Sequence, residues 1–297
     1  MVEYAAFVRE VEVWSPLGGG AYTCMMANRA GQTISEVGAP QGREGAAALV
    51  TRTVSHGRPG FATEGREHVR VALPLFTGEE VSSVVVLGCY SEAGRRGGVE
   101  VWEPSPEDDL VRVEGFYGGL SGFEMASRST RFARGIGLPG ITWDRQLPHI
   151  IDDVRFSPLF LRAAHAREHA LVLGLGVPIG RAGHVEHVVL LLTALSTPPA
   201  RALEVWVPDD QGRLWLDQAV HDVGLETLGR TSRTTCLMPG EGVAAQAALT
   251  GQPRVWTPSG EDCGVTDQDA TRAGLAFGVA IPIMGEERAR AVLLLRS

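Results

Sequence analysis

The sequence contains no lysine; all 27 of its basic residues are arginine. Arginine and lysine differ chemically, but neither is needed everywhere, so the absence reads as a codon or host bias. Positive charge is scarce overall, with 27 Arg against 35 acidic residues and a net charge of −8. That balance excludes a nucleic-acid partner, which needs a basic stripe to neutralise phosphates. The Arg95-Arg96 pair is too short to form one. No apolar run approaches the ~20 residues of a membrane span. Val188–Leu192 is typical, and the acidic start Met1-Val2-Glu3-Tyr4 lacks the basic region of a secretory signal. Cys24, Cys89, Cys236 and Cys263 form no Cys-x-x-Cys pair, as expected of buried free thiols in a reducing cytoplasm. Charged residues make up 21% of the 297, too few for wholesale disorder, and the length allows two or three domains.

What is present is a threefold repeat. Val11-Glu12-Val13-Trp14-Ser15-Pro16 returns as Val99-Glu100-Val101-Trp102-Glu103-Pro104 and as Leu203-Glu204-Val205-Trp206-Val207-Pro208. Leu73-Pro74-Leu75 returns as Val177-Pro178-Ile179 and Ile281-Pro282-Ile283, with the prolines 104 residues apart each time. Trp102 to Pro178 and Trp206 to Pro282 are both 76 residues, whereas Trp14 to Pro74 is compressed to 60. These markers divide the chain into repeats at 1–94, 97–196 and 201–297, joined by Gly94–Gly98 and Ser196–Ala200, both expected to be exposed.

Within a repeat, the alternating Val-Glu-Val-Trp predicts a strand and Leu110–Val113 or Leu214–Leu216 its hairpin partner. Val243–Leu249 predicts a helix stopped by Gly251 and Pro253, and Pro59 and Pro148 follow similar stretches. Two strongly apolar strands then close the repeat. The expected class is α+β, with an antiparallel sheet and a few helices in each repeat. In the first strand Val11 and Val13 share one face, Glu12 and Trp14 the other. The last strands are apolar on both sides, so the second face of each sheet needs a cover, either another repeat or another chain.

Gly240-Glu241-Gly242-Val243-Ala244-Ala245 through Gln252-Pro253, Gly135–Trp143 and Ala273–Ile283 resemble the central helix and the following strand of GAF domains. Gly45–Ala48, Gly57–Pro59 and Val71–Leu75 extend the resemblance to the first repeat by analogy. It implies three tandem GAF-like domains in a bacterial regulatory or signal-transduction protein that senses a small molecule or dimerises. Long coupling helices, coiled-coil heptads and an attached output segment are lacking, which points to action on a separate protein partner.

Several motifs have simpler structural readings. Gly135-x-Gly137-x-x-Gly140 spells a dinucleotide fingerprint, but no βαβ unit surrounds it, so it reads as the turn that starts a helix. His165-Ala166-Arg167-Glu168-His169 matches an inverted zinc motif. The second pair, His184 and His187, is separated from it by a strand, and no metal is expected; Arg162, Arg167 and Glu168 read as a solvated helix face. Some GAF proteins reduce methionine sulfoxide with paired cysteines, and Cys236 with Cys263 is the pair with suitable loop placement here. Neither a bilin Cys-His pair nor the cyclic-nucleotide Asn-Lys-Phe-Asp-Glu string is present.

The candidate ligand-binding residues are Trp143, Asp152, Asp153, Arg155 and Phe156, an aromatic wall with polar groups in the longest loop. The third repeat has instead the acidic Glu261, Asp262, Asp267 and Asp269, expected to be solvated, and the first has only Phe61–His68. The expectation is therefore a cytoplasmic, non-enzymatic module that needs no cofactor and senses or regulates through a small-molecule ligand and a separate protein partner. Self-association into a homo-oligomer is left open. A protein-interaction scaffold with self-filled pockets is the alternative, and a thiol-dependent sulfoxide reductase a third reading.

Overall fold

The computed structural model describes residues 6–18, 21–30, 32–38, 42–65, 67–91, 97–181, 183–194, 197–259 and 264–297. The class is α+β, with three antiparallel sheets. The first domain runs β1 (Val8–Gly18), β2 (Ala21–Asn28), β3 (Thr33–Val37), α1 (Glu44–His56), β4 (Gly60–Glu64), β5 (His68–Thr77) and β6 (Glu80–Tyr90). The second runs β7 (Gly97–Pro104), β8 (Asp109–Phe116), α2 (Ser121–Ser129), β9 (Arg131–Ala133), α3 (Gly137–Arg145), β10 (His149–Ile151), α4 (Ala163–Glu168), β11 (Leu171–Arg181) and β12 (His184–Ala194). The third runs β13 (Ala202–Pro208), β14 (Leu214–His221), α5 (Glu226–Thr234), α6 (Gly242–Thr250), β15 (Arg254–Trp256), α7 (Val265–Arg272), β16 (Gly278–Met284) and β17 (Ala289–Arg296).

The strand orders β3-β2-β1-β6-β5-β4, β9-β8-β7-β12-β11-β10 and β14-β13-β17-β16-β15 are one topology used three times. In each, the Glu-x-Trp strand sits in the middle and pairs with the last strand of its domain. In the third domain the sixth strand shrinks to a single bridge between Leu214 and Leu237. The compression of the first repeat has a structural cause. Only three residues separate β4 from β5, and the chain from β2 to β3 has no counterpart of α2 or α5. The glycine motif starts helices, as its reading required. Gly137 and Gly242 adopt φ of 69° and 72°, and a Cβ at Gly137 would lie 2.6 Å from the Phe132 ring.

The two faces of each sheet bury different things. On one, Trp14, Trp102 and Trp206 pack under the helices of their own domain in three separate cores. On the other, Val11 and Val13, Val99 and Val101, and Leu203 and Val205 join a single core drawn from all three sheets. The cover for the second face is thus the neighbouring repeats. The arrangement is cyclic. Gln218 on β14 accepts from Ile150 N–H of β10 at 2.9 Å and donates to Pro148 O at 3.2 Å. β15 in turn lies against β1 and β2, where Ser83 donates to Gln252 Oε1 at 2.7 Å. Gly60 and Phe61 at the start of β4 share a cleft with Glu114 of β8. Pro74, Pro178 and Pro282 meet around one narrow space of about 40 Å³ on the resulting pseudo-threefold axis.

The second join differs from expectation. Thr197, Pro199 and Ala200 are buried because Phe7 and Val8 donate to the carbonyls of Pro198 and Pro199 at 2.7 and 3.1 Å. The first join lies mostly outside the described residues, as does Ser196. A core shared by three sheets cannot be exposed one domain at a time. Thermal unfolding is therefore expected to give one calorimetric transition with equal calorimetric and van't Hoff enthalpies; three resolved transitions would contradict the shared core.

Candidate functional site

Each domain interior is built around the charged residue of the repeated strand. Glutamate and tryptophan two positions apart share a face, so the indole N–H reaches the carboxylate of its own strand. The distances are 2.7 Å for Trp14 to Glu12, 3.0 Å for Trp102 to Glu100 and 3.0 Å for Trp206 to Glu204. Beneath each glutamate an arginine from elsewhere in the domain closes the interior.

In the second domain that arginine is Arg162, immediately before α4. It donates to both Glu100 oxygens at 2.6 and 2.9 Å and to the Ser127 hydroxyl. Tyr117 O–H donates to the same carboxylate at 2.9 Å. The Arg162 guanidinium lies 4.7 Å from the Phe123 ring centre and 5.4–5.5 Å from those of Trp102, Phe132 and Phe160. Burial alone would raise the Glu100 carboxyl, but the Arg162 charge and these hydrogen bonds outweigh it and hold it below the usual range. Arg162 is only 4% exposed, which corrects its assignment to a solvated helix face: its side chain turns inward while Arg167 and Glu168 stay at the surface.

In the third domain Glu204 accepts from His221 Nε2 at 2.9 Å and Ser232 O–H at 2.5 Å, with Arg296 at 3.8 Å. Burial opposes the ionised form, yet His221, Arg296 and Ser232 hold Glu204 at about 2. Arg296 also donates to Asp267 at 2.7 Å, and Asp267 accepts from Val243 N–H at 2.9 Å. Asp269 accepts from Thr231 O–H at 2.6 Å. Asp267 and Asp269 are therefore buried α7 residues that tie α7 to α5, α6 and β17, not a solvated loop. Glu261, Asp262 and Cys263 lie outside the described residues. In the first domain Arg43 is shared, with bonds of 2.8 and 2.9 Å to Glu10 and 3.0 Å to Glu12. There the balance tips the other way for Glu12, whose burial raises its carboxyl.

The five candidate ligand residues are not gathered around a cavity. Trp143 is buried in the second-domain core with Arg134 stacked 3.8 Å above its ring. Asp152 is exposed. Asp153 accepts from Arg155 Nε and an Arg155 terminal nitrogen at 2.9 and 2.8 Å and from its backbone N–H at 3.0 Å, closing a local turn. Phe156 is 70% exposed, flanked by the guanidinium groups of Arg155 and Arg167. His165 is half-buried and lies 3.8 Å from Glu168, while His184 is exposed and His187 buried on β12. Among the described residues no cluster of three or more metal-ligating side chains forms. No helix there is long and apolar enough to cross a membrane.

Several solved structures match over about one domain, and a putative uncharacterized protein from Mycobacterium tuberculosis matches 96% of this chain at 11% identity and a TM-score of 0.21, over 92% of its own length. The GAF/HD-domain protein from Geobacter sulfurreducens matches 34% of this chain at 18% identity and a TM-score of 0.30. A free methionine-R-sulfoxide reductase from Neisseria meningitidis matches 34% at 17% identity and 0.26, and an A. aeolicus GAF domain 34% at 14% and 0.27. The matched segments span 65%, 53% and 57% of those three chains, under two thirds of each. No family model and no curated protein matches the chain.

The buried Glu–Arg pairs were legible only in part. A glutamate recurring at one place in three apolar strands is the available signal, since a charge beside a core tryptophan requires a partner. Arg162 and Arg296 carry no such signal, because their partners lie 62 and 92 residues away in sequence.

Proposed function

We propose that this chain is a non-enzymatic regulatory module that acts by binding a separate protein partner, with domain interiors that serve as structure. The supporting observation is the filling of all three interiors by Arg43, Arg162 and Arg296 on their own glutamates, which is the scaffold alternative drawn from the sequence. The contact surface suggested is the loop after β10. Val154 and Phe160 anchor it in the core, while Phe156, Leu159 and Leu161 project outward near the exposed Ile136. Its rim carries Arg134 and Arg167, neither of which meets a carboxylate among the described residues. The free thiols of Cys24, Cys89 and Cys236 fit a partner in the reducing cytoplasm.

Sulfoxide reduction needs an accessible thiolate. Burial pushes the Cys24 thiol up to about 12 and Cys89 higher still, so neither supplies that thiolate, and Cys263 of the Cys236–Cys263 pair lies outside the described residues. The test is co-purification from the source cell with wild-type chain and with Phe156→Ser/Leu161→Ser. The expected result is a stoichiometric partner lost from the double variant, whose melting temperature stays within about 2 °C because both side chains are solvent-facing. Retention of the partner by the double variant would overturn the surface. A small molecule whose binding is abolished by Glu100→Gln or Glu204→Gln would overturn the structural role of the interiors.

A further inference from the structure

The three interfaces of the ring are equivalent in topology and unequal in chemistry. Glu114 on β8, Gln218 on β14 and Met25 on β2 each stand opposite the second valine of the repeated strand, Val101, Val205 and Val13. In the second-to-third interface Gln218 clamps the edge strand β10 by bonding both Ile150 N–H and Pro148 C=O. The position equivalent to Ile150 in the third domain is Val255, two residues after Pro253 as Ile150 is two after Pro148. The residue facing it from the first domain is Met25, which has no side-chain amide to offer, and no hydrogen bond joins Val255 to the described residues of the first domain.

Where that clamp is missing, a cleft of about 390 Å³ opens between the first and third domains, within the range of small-molecule sites. Its apolar side is Val13, Met25 and Val255, and Gln246 and hydroxyl side chains supply hydrogen bonds. Arg254 stands on its rim with no hydrogen bond or ion pair to any described residue, and no described carboxylate lines the cleft. Trp256 also lines it, and its buried indole N–H has no partner. A guanidinium that meets no described carboxylate, a row of donors and an apolar wall together select an anion with an apolar body and reject cations.

We propose that the cleft between the first and third domains is a binding site for a small carboxylate with an apolar body, held by Arg254 and admitted by the absence of a polar clamp at Met25. This goes beyond the partner-binding reading and does not depend on it. The probes are benzoate, indole-3-acetate and octanoate, with benzamide as the uncharged control. Each is titrated into full-length protein by calorimetry and into protein carrying 13C-methyl methionine.

At least one carboxylate is expected to bind and to shift the Met25 methyl resonance, with benzamide at least tenfold weaker than benzoate. Arg254→Met, at an exposed side chain, is expected to weaken binding at least tenfold with the melting temperature unchanged. Met25→Gln is expected to abolish binding by installing the clamp seen at Gln218, and to leave the fold intact. Equal affinity in Arg254→Met, shifts confined to methionines other than Met25, or no binding of any of the three carboxylates at about 5 mM, a ceiling of roughly millimolar affinity, overturns the proposal.

Discussion

Arg162→Met is expected to lower the unfolding free energy by about 3–5 kcal/mol at neutral pH, since it leaves a buried carboxylate without its partner. Glu100 is fully buried and takes two of its hydrogen bonds from Arg162. Methionine can refill the volume against Phe123 and Phe160, but it cannot neutralise the charge. The double variant Glu100→Gln/Arg162→Met removes both charges and is expected to be much closer to the wild type. Denaturant unfolding followed by tryptophan fluorescence measures both, with Trp102 reporting directly on the site. A loss under about 1 kcal/mol in the single variant would mean that water reaches Glu100 and that the interior is not closed.

Acid is expected to remove stability in two separate steps. Burial, with the charge of Arg58, pushes His187 down to about 4, while Glu186 pulls the other way and Arg181 adds to the depression; Glu103 also faces it at 3.8 Å. The unfolded chain then binds a proton at His187 that the folded chain refuses, so stability falls as pH drops from about 6.5 to 4. Glu204, held at about 2 by His221, Arg296 and Ser232 against its burial, behaves as a depressed carboxyl. Its contribution is complete above the unfolded value of about 4.3 and is lost as pH falls toward 2. Each step is on the order of 3 kcal/mol at about 1.4 kcal/mol per unit of displacement. His187→Gln should flatten the upper step alone and Glu204→Gln the lower alone, in denaturation midpoints measured from pH 7 to 2. One merged step unaffected by either change would place the acid sensitivity on other groups.

The repeat, the succession of strands and helices along it and the helix-start glycines were readable from sequence because they are local. A two-residue alternation, a proline after a helix and a paired glycine each act within a few positions. The sheet face covered by neighbouring repeats was legible as a need, since Val188–Leu192 is apolar on both sides, but not as a geometry. Nothing local tells Gln218 that it will meet Pro148 and Ile150. The ligand residues failed to assemble for a related reason. Trp143 and Phe156 lie 13 positions apart in one apparently aromatic loop, yet α3 turns Trp143 into the core and the Val154–Phe160 anchors turn Phe156 out. Asp267 and Asp269 were read as solvated for their charge, when α7 brings them against Arg296 and Thr231. The open cleft depends on a contrast between Met25 and Gln218, which only the register of β2 and β14 makes equivalent.

The cyclic packing makes this chain a covalently linked trimer. A ring of three identical subunits must repeat every contact three times, so a change that opens one seam opens all of them. Linking the copies in one polypeptide frees each seam to evolve alone, as Glu114, Gln218 and Met25 show at one register. The seam clamped by Gln218 can hold its two domains together while another seam is left for recognition. The assembly also cannot dissociate on dilution, so whatever occupies the seam sees the same protein at any concentration.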